Sequence, residues 1–260
     1  MAENIVTMQS GLGQIAPLAN IGVMENAIHR LKNRGPGDPG LFVISGPSGY
    51  GKSMAAALAK ARHQAYYLQL DDFVTKKGLL VSLCRVLALV PPSEKPKGTT
   101  AELADMVGAQ LATSRRVLII DEFDFAVNKG LVMSVFSIYE KSKASILLIG
   151  EEAMPGNLAK WEKFSGRVLD TLYAEAIGLK DAQTLARHKY PEFGFADDLL
   201  QHLVSISDGS VRRVNNNLAT IHNEGLSMGW ERCDLAVWEK FEAANGARKL
   251  QVAGVKRRGA

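Results

Sequence analysis

The sequence has 260 residues, of which 47% are apolar and 22% are charged, and these fractions are typical of a globular protein rather than a disordered or collagen-like one. The length suggests one large domain, or a domain with a small companion, around a sizeable core. No apolar run reaches about 18 residues and residues 1–20 lack the features of a secretory signal, so neither a membrane span nor a leader is expected. Cys84 and Cys233 lie in apolar stretches, which predicts small buried thiols in a cytoplasmic protein.

The net charge of +4 originates in the C-terminal tail. Residues 246–260 contain five basic side chains and no acid, so the preceding 245 residues together have a net charge of −1. A basic tail favours an anionic partner such as nucleic acid, although a disordered, solubilising end explains the composition equally well. The basic residues of the tail are Arg248, Lys249, Lys256, Arg257 and Arg258.

Strand and helix patterns alternate through most of the chain. Apolar spacing predicts a helix in residues 20–33, which ends at a Gly/Pro-rich segment, and further helices that include residues 129–142. Between the helices lie short apolar runs, and this alternation predicts a doubly wound parallel α/β sheet. The predicted strands are residues 41–45, 65–71, the run that ends at Asp121, 144–150 and, as a possible fifth, 171–179. Beyond them only helical patterns follow, at 180–189, 196–207, 211–226 and 231–245.

Residues 46–53, GPSGYGKS, match the phosphate-loop pattern G-x-x-x-x-G-K-[ST] at every required position. The glycines allow backbone N–H groups to turn toward phosphate oxygens, Lys52 can reach the β- and γ-phosphates, and Ser53 can ligate Mg²⁺. Because the loop follows a buried strand and begins a helix, a chance Gly-rich turn is a poor explanation. The predicted nucleotide contacts are Gly46, Pro47, Ser48, Gly49, Tyr50, Gly51, Lys52, Ser53 and Met54.

An acidic pair, Asp121 and Glu122, ends the third predicted strand, at the edge where open α/β sheets bind ligands. Asp121 is suited to hold Mg²⁺ through its water shell, and Glu122 is a candidate general base for a water that attacks the γ-phosphate. The adjacent acids favour hydrolysis over transfer to a substrate hydroxyl. The alternative, solvated acids after a strand, is weakened by the phosphate loop upstream.

With GPSGYGKS as Walker A and IIDEFD as Walker B, the chain resembles ATPases of the AAA+ superfamily over roughly residues 15–245. The phrases RVLIIDEFD, ILLIGEE and KFSGRV, followed by GxxR, are most similar to the transposition target-selection ATPases: the phage Mu B protein and the TnsC, TniB and IstB groups. The resemblance implies a P-loop (AAA+) α/β fold with a small all-helical lid. It divides the chain into an N-terminal linker and helix (1–40), a nucleotide-binding core (41–179), a lid (180–245) and a basic, flexible tail (246–260).

The resemblance also implies roles for residues outside the Walker motifs. Glu151 stands at the sensor 1 position, where the family usually has a polar Asn or Thr, so a carboxylate there puts that function in doubt. Arg167 stands where the family has an arginine finger that completes the site of the next subunit, with Lys160 and Lys163 as nearby competitors and a solvated surface residue as the alternative.

In the lid, Arg212 of Gly209–Arg212 resembles sensor 2, and Arg213 is the alternative because a one-residue error in helix phase exchanges the two. Leu18 and Ile21 are candidates to border the adenine, or are ordinary core residues.

The resemblance also implies assembly of subunits into a ring, in which loops that face the central channel contact DNA. The loop after the second strand contains Lys76 and Lys77, and the loop after Walker B contains Asn128 and Lys129. Lysines there would neutralise phosphates without sequence preference, although a solvated surface explains each one alone. Only 40 residues precede the first strand, so we expect DNA contacts from these loops and from the tail.

These observations lead to three hypotheses. The main one is an ATP- and Mg²⁺-dependent ATPase of mobile-element or phage origin, in the cytoplasm of a bacterium or infected host. It would assemble as a filament or ring on duplex DNA, recruit a transposase, and disassemble on ATP hydrolysis. The second is a helicase loader or replication-initiation ATPase, and the third is a switch whose bound nucleotide only fixes a conformation.

Overall fold

The structure is a computed structural model that describes residues 16–245 and 250–254. The described residues form two compact units. The core unit consists of residues 21–47 and 52–174, and the helical unit consists of residues 16–20, 48–51, 175–245 and 250–254. No helix within these ranges is both long and apolar enough to cross a membrane.

A five-stranded parallel sheet forms the centre of the core unit. In chain order, its strands are β1 (Leu41–Ser45), β2 (Tyr66–Gln69), β3 (Leu118–Asp121), β4 (Ile146–Gly150) and β5 (Val168–Tyr173). Their spatial order is β2–β3–β4–β1–β5, and all neighbours are parallel. Strands β1, β3 and β4 are buried along their whole length, which explains the continuous apolar runs in the sequence. The predicted parallel α/β sheet is confirmed.

Helices cover both faces of this sheet. Alternate residues of β1 enter two different apolar clusters, Leu41 and Val43 on one face and Phe42 and Ile44 on the other. The sheet is therefore doubly wound, as predicted. The helices are α1 (Ala19–Lys32), α2 (Lys52–His63), α3 (Lys76–Val86), α4 (Thr100–Ser114), α5 (Asp124–Asn128), α6 (Val132–Ser142), α7 (Met154–Leu158) and α8 (Glu162–Ser165).

Three element boundaries differ clearly from the sequence prediction. The helix predicted over 231–245 begins only at Leu235, because residues Arg232–Cys233 form a short strand. The helix predicted over 129–142 begins only at Val132, because Gly130 has a left-handed conformation, with φ of +68°, that interrupts the helix. The short helix α5 precedes this point. Strand β5 occupies residues 168–173 rather than 171–179, because its pairing with β1 begins at Val168 opposite Leu41.

The helical unit contains four helices around its own apolar core. They are α9 (Leu179–Lys189), α10 (Asp197–Ile206), α11 (Val211–Ser227) and α12 (Leu235–Asn245). Two short parallel strands, β6 (Gly194–Phe195) and β7 (Arg232–Cys233), are an addition that the sequence did not indicate, because two residues are too few for a periodic pattern. Cys84 and Cys233 are both buried and free, as predicted.

Part of the C-terminal tail packs on the helical unit. Leu250 is buried in its apolar core, and the backbone of Gln251 exchanges two hydrogen bonds with the side chain of Asn217, at 2.7 and 3.0 Å. The Ala253 N–H donates to the carbonyl of Ile206 at 2.7 Å. The segment between the two basic clusters of the tail is therefore attached, whereas the five basic residues themselves lie outside the described residues.

Candidate functional site

The phosphate loop begins where β1 ends, and α2 begins at Lys52. Gly49 and Gly51 have φ of +87° and +84°, a conformation that L-amino acids with a Cβ rarely adopt. The Lys52 ammonium donates to the carbonyl oxygens of Gly46 at 2.6 Å and Pro47 at 2.9 Å. The Lys52 side chain therefore folds back onto the first two residues of the phosphate loop. The first turn of α2, a twelve-residue helix, presents its backbone N–H groups at the end of this loop.

The electrostatics around Lys52 favour an anionic ligand. Burial lowers the pKa of Lys52, and the neighbouring carboxylates, with Glu122 and Asp121 foremost, oppose this shift. The ammonium is thus partly desolvated, and among the described residues its direct hydrogen-bond partners are backbone carbonyls. A phosphate oxygen would stabilise its charged form, which gives the loop a physical reason to bind a phosphate.

Asp121 is buried, with 1% of its surface exposed, and both of its carboxylate oxygens have partners. Oδ1 accepts from the N–H of Glu122 at 2.9 Å, and Oδ2 accepts from the hydroxyl of Tyr67 at 2.8 Å. Burial, followed by the Asp121 carboxylate, raises the pKa of Tyr67 far above its usual range. Each oxygen keeps a lone pair, and Asp121 with the Ser53 hydroxyl offers the hard oxygen ligands that suit a hydrated Mg²⁺.

Glu122 follows β3 in a left-handed conformation with φ of +55°, which is uncommon for a residue with a side chain. Such strain is concentrated at functional sites. Burial raises the pKa of Glu122, the Asp121 carboxylate adds to the shift, and Lys52 opposes it. A carboxylate with a raised pKa is a better proton acceptor, which fits the predicted role as a general base.

Glu151 and Asp124 connect the ends of neighbouring strands. The Glu151 N–H donates to Asp124 Oδ2 at 2.8 Å, and its carbonyl accepts from Ser45 Oγ at 2.8 Å. A Cβ at Gly150 would clash with the side chains of Asp124 and Met154, so a larger residue there would displace the Asp124 carboxylate. The side chain of Glu151 is exposed, and its backbone, rather than its carboxylate, is held against the site.

The loop residues 48–51 and their contacts belong to the helical unit. The buried Asn20 donates to the Tyr50 carbonyl at 2.8 Å, and the Gly49 carbonyl accepts from the Arg212 N–H at 3.1 Å. The guanidinium of Arg213 donates to a carbonyl after α10 at 3.0 Å, whereas the side chain of Arg212 is exposed. The choice between Arg212 and Arg213 as sensor 2 stays a prediction.

Three other residues that are predicted to contact the nucleotide, Leu18, Ile21 and Met54, lie in ordinary core or surface environments. Leu18 packs against the apolar core of the helical unit, and Ile21 packs against a cluster in the core unit. Met54, in the first turn of α2, is 55% exposed. Their assignment to the adenine or the phosphates stays a prediction.

Arg167 lies at the other end of the sheet from the phosphate loop. It directly precedes β5, and its carbonyl accepts from the N–H of Leu41, the first residue of β1, whereas the loop follows the last residue of β1. Five residues of strand span roughly 13 Å. Within the core unit, Arg167 is therefore remote from Lys52.

The Arg167 guanidinium is exposed and partly engaged. Its Nε donates to Glu140 Oε1 at 3.0 Å, and the other oxygen of Glu140 accepts from Lys143. These contacts, with Lys143 foremost, lower the pKa of Glu140. Lys160 bonds to a neighbouring asparagine at 3.2 Å, and Lys163 is exposed.

The structure brings the two predicted DNA loops together. Lys129, which ends α5, pairs with Asp72 Oδ1 at 3.3 Å and also donates to the Asp72 carbonyl. Lys76 and Lys77 lie exposed in the first turn of α3. Of the predicted DNA contacts, these three are described, and the five in the tail lie outside the described residues.

Sequence reasoning missed three residues that shape the site: Asn20, Tyr67 and Asp124. Asp124 was visible as the third acid of IIDEFD, and Asn20 as a polar residue at the start of an apolar helix pattern. Tyr67 gave no sequence signal, because only the pairing of β2 with β3 brings its hydroxyl to Asp121.

Comparison with known proteins agrees with the fold. Residues 34–157 match a family model described as an AAA domain. Comparison with curated proteins finds no match.

Several solved structures share the fold. The Aeropyrum pernix ORC2 protein in ADPNP–ADP complexes is similar with a TM-score of 0.63 and 15% identity, over 88% of this chain and 67% of that one. Drosophila ORC bound to DNA has a TM-score of 0.60 and 15% identity, over 93% of this chain and 66% of that one. Domain III of the Thermotoga maritima replication initiation protein DnaA has a TM-score of 0.52 and 14% identity, over 87% of this chain and 92% of that one. The chain spans 63% to 68% of the length of the first five similar chains.

The phosphate loop, the buried Asp121 with Glu122, the strand order and these similarities agree with one another. The chain has the AAA+ P-loop fold with a helical C-terminal region, and its residues 34–157 are similar to the AAA domain family.

Proposed function

We propose that this protein is a DNA-binding ATPase that acts in the manner of replication initiators and helicase loaders. The observation that supports ATP hydrolysis is the convergence of Lys52, Asp121 and Glu122 at one edge of the sheet. ATP would bind through the N–H groups of the phosphate loop, while Lys52 exchanges its bonds to the loop carbonyls for bonds to the phosphates.

The hydrolytic step is assigned to Glu122. Its carboxylate, with a raised pKa, accepts a proton from the attacking water and orients that water toward the γ-phosphate. Asp121, held by Tyr67, and Ser53 would bind Mg²⁺, which supplies neutralisation of phosphate charge when it is bound. Asp124 keeps the backbone after β4 in place beside the site.

Assembly of several subunits is proposed from the position of Arg167. An arginine at the amino-terminal edge of the sheet is remote from the phosphate loop at the carboxyl-terminal edge of its own core unit. It is free to serve a neighbouring copy, where a guanidinium stabilises charge on the transferring phosphoryl group. The Nε of Arg167 bonds to Glu140, and within the described part of the chain its two terminal nitrogens have no hydrogen bond, which leaves them for a phosphate.

DNA binding is proposed from Lys76 and Lys77, which lie in the first turn of α3 rather than in the predicted loop, from Lys129 after α5, and from the basic tail. Such contacts neutralise phosphates and give salt-sensitive binding without base preference. The similarity to Drosophila ORC bound to DNA and to the replication initiation protein DnaA favours the replication role.

Transposition target selection is the second candidate. Its support is the order of RVLIIDEFD, ILLIGEE and KFSGRV in the sequence, with Arg167 in the last of these. The two candidates differ in the partner, which is a replicative helicase for the first and a transposase for the second.

The test measures DNA binding and partner capture together. The full chain is sedimented with duplex DNA in the presence of ATP, ADP or no nucleotide, and then used to capture a purified replicative helicase or transposase. We expect binding that requires ATP, and the variant Glu122→Gln should hold the ATP- and DNA-bound assembly. DNA binding that is indifferent to ATP would contradict the proposed coupling. Capture of the transposase but not the helicase would replace the first candidate with the second.

A further inference from the structure

Among the described residues, Phe73 is the most exposed of the large apolar side chains, at 88%. It lies in the loop between β2 and α3, residues 70–75, three residues before Lys76. A ring in this position gains nothing from burial in its own chain, so the fold does not account for it.

The loop displays Phe73 in a fixed conformation. Leu70 and Val74, on either side of it, are buried, and the Leu70 N–H donates to the Asp121 carbonyl at 3.0 Å. The N–H of Phe73 itself donates to Asp71 Oδ1 at 2.9 Å. Thr75 then caps α3 by accepting from the Gly78 N–H at 3.1 Å. Both ends of the loop are therefore anchored, and the aromatic ring is held outward between them.

The charges beside the ring favour an anionic partner. The two acids of the loop are engaged within the core unit, Asp71 by the Phe73 N–H and Asp72 by Lys129. Within the described part of the chain, neither Lys76 nor Lys77 forms an ion pair. The exposed ring is therefore followed, three and four residues later in the chain, by two exposed lysines that form no ion pair among the described residues.

This combination matches the chemistry of a nucleotide in a strand, which offers a flat base beside a phosphate. Lysines alone would serve a duplex, whose backbone phosphates face outward. A ring gains only from the face of a base, and in a stacked duplex the neighbouring bases cover those faces.

We propose that Phe73 stacks on an unpaired base of DNA while Lys76 and Lys77 hold the adjacent phosphates, so that this loop prefers single-stranded or locally opened DNA. The inference deepens the proposed function and rests on it, because it names the form of DNA that the site takes. It fits a protein that acts where a duplex is opened.

The experiment compares two substitutions that differ in the ring alone. Phe73→Leu keeps an apolar side chain without an aromatic face, and Phe73→Trp keeps the face. Binding of the full chain to a fluorescent oligo(dT) of about 20 nucleotides, and to a duplex of the same length, is measured by anisotropy with a non-hydrolysable ATP analogue. Leu226→Ala, which removes a side chain that is 60% exposed in the helical unit, is the matched control.

We expect Phe73→Leu to weaken oligo(dT) binding about tenfold, with duplex binding unchanged. Phe73→Trp and Leu226→Ala should bind as the wild type does. Replacement of Lys76 and Lys77 by Gln should lower the salt dependence of binding by about two charge equivalents.

The outcomes separate the two claims. If the wild type binds neither DNA form, the proposed function fails before Phe73 is in question. If the wild type binds oligo(dT) and Phe73→Leu binds it equally well, the stacking inference is overturned. It is also overturned if Phe73→Leu abolishes self-association without DNA, because the ring then contacts a second copy.

Discussion

The hydrogen bond between Tyr67 and Asp121 allows a sharp test of how the site is built. The substitution Tyr67→Phe keeps the ring on β2 and removes only the hydroxyl that donates to Asp121 Oδ2 at 2.8 Å. Because Asp121 is 1% exposed, the freed oxygen has little access to bulk water. A lost hydrogen bond to a charged buried group costs about 1.5–3 kcal/mol.

The expected measurement is a lower free energy of unfolding in urea, by about 1.5–3 kcal/mol. In a thermal scan, Tm should fall by about 2–4 °C for each kcal/mol lost. Tyr66→Phe is the matched control on the same strand, because its hydroxyl accepts a long bond from Gln110 at 3.3 Å and has Ser114 and Arg116, rather than a buried carboxylate, as its other neighbours. It should change the free energy of unfolding by less than about 1 kcal/mol.

The pH dependence gives a second check. The pKa of Tyr67 is raised in the folded protein, so its contribution is fully present below the unfolded pKa of about 10 and is lost as the pH rises further. The difference between Tyr67→Phe and the wild type should therefore be constant from about pH 7 to 9 and shrink above about pH 10. Equal stability of Tyr67→Phe and the wild type at neutral pH would refute the reasoning, since Asp121 would then not depend on this donor.

Three further predictions concern the proposed activity. Lys52→Ala should remove nucleotide binding in calorimetry, because Lys52 is the one cationic side chain of residues 46–53; retained affinity would contradict the phosphate role. Arg167→Ala should lower turnover by about 10³-fold or more, and mixing it with Lys52→Ala should restore part of the activity, because each variant supplies what the other lacks. No recovery in the mixture would argue against action between subunits. Replacement of the five basic tail residues by Gln should weaken DNA binding and its salt dependence while assembly with ATP persists, and loss of assembly would show a structural role. Substitution is the better test than truncation, because deletion of the tail also removes Leu250 from the helical core.

The parts of the site that lie on contiguous sequence could be predicted. The phosphate loop, the strand before it and the pair Asp121–Glu122 follow from local patterns, since glycine spacing and apolar runs are set by neighbours in the chain. The contact of Tyr67 with Asp121 could not be predicted, because it depends on the register of two strands that are separated by two helices. The bond from Asp124 to the backbone after β4 depends on strand order in the same way.

The geometry of the loops could not be predicted from the sequence either. Lys129 and Asp72 belong to loops after β3 and β2, and their pairing follows from the adjacency of those strands. The exposure of Phe73 is contrary to the usual place of an aromatic residue, so residue type alone pointed to the core. The attachment of residues 250–254 was hidden for a similar reason, because a short segment with one leucine has no periodicity.

The placement of Arg167 and Lys52 at opposite ends of β1 has a kinetic consequence. If the catalytic centre takes its arginine from a second copy, as proposed, it does not exist in an isolated subunit, and the specific activity would depend on protein concentration. Turnover per subunit would fall on dilution below the dissociation constant of the interface and level off above it. DNA that gathers several copies on one molecule raises their local concentration and would restore turnover in dilute protein. Under the proposed function, the direction of this five-residue strand would make ATP turnover depend on how many copies are assembled.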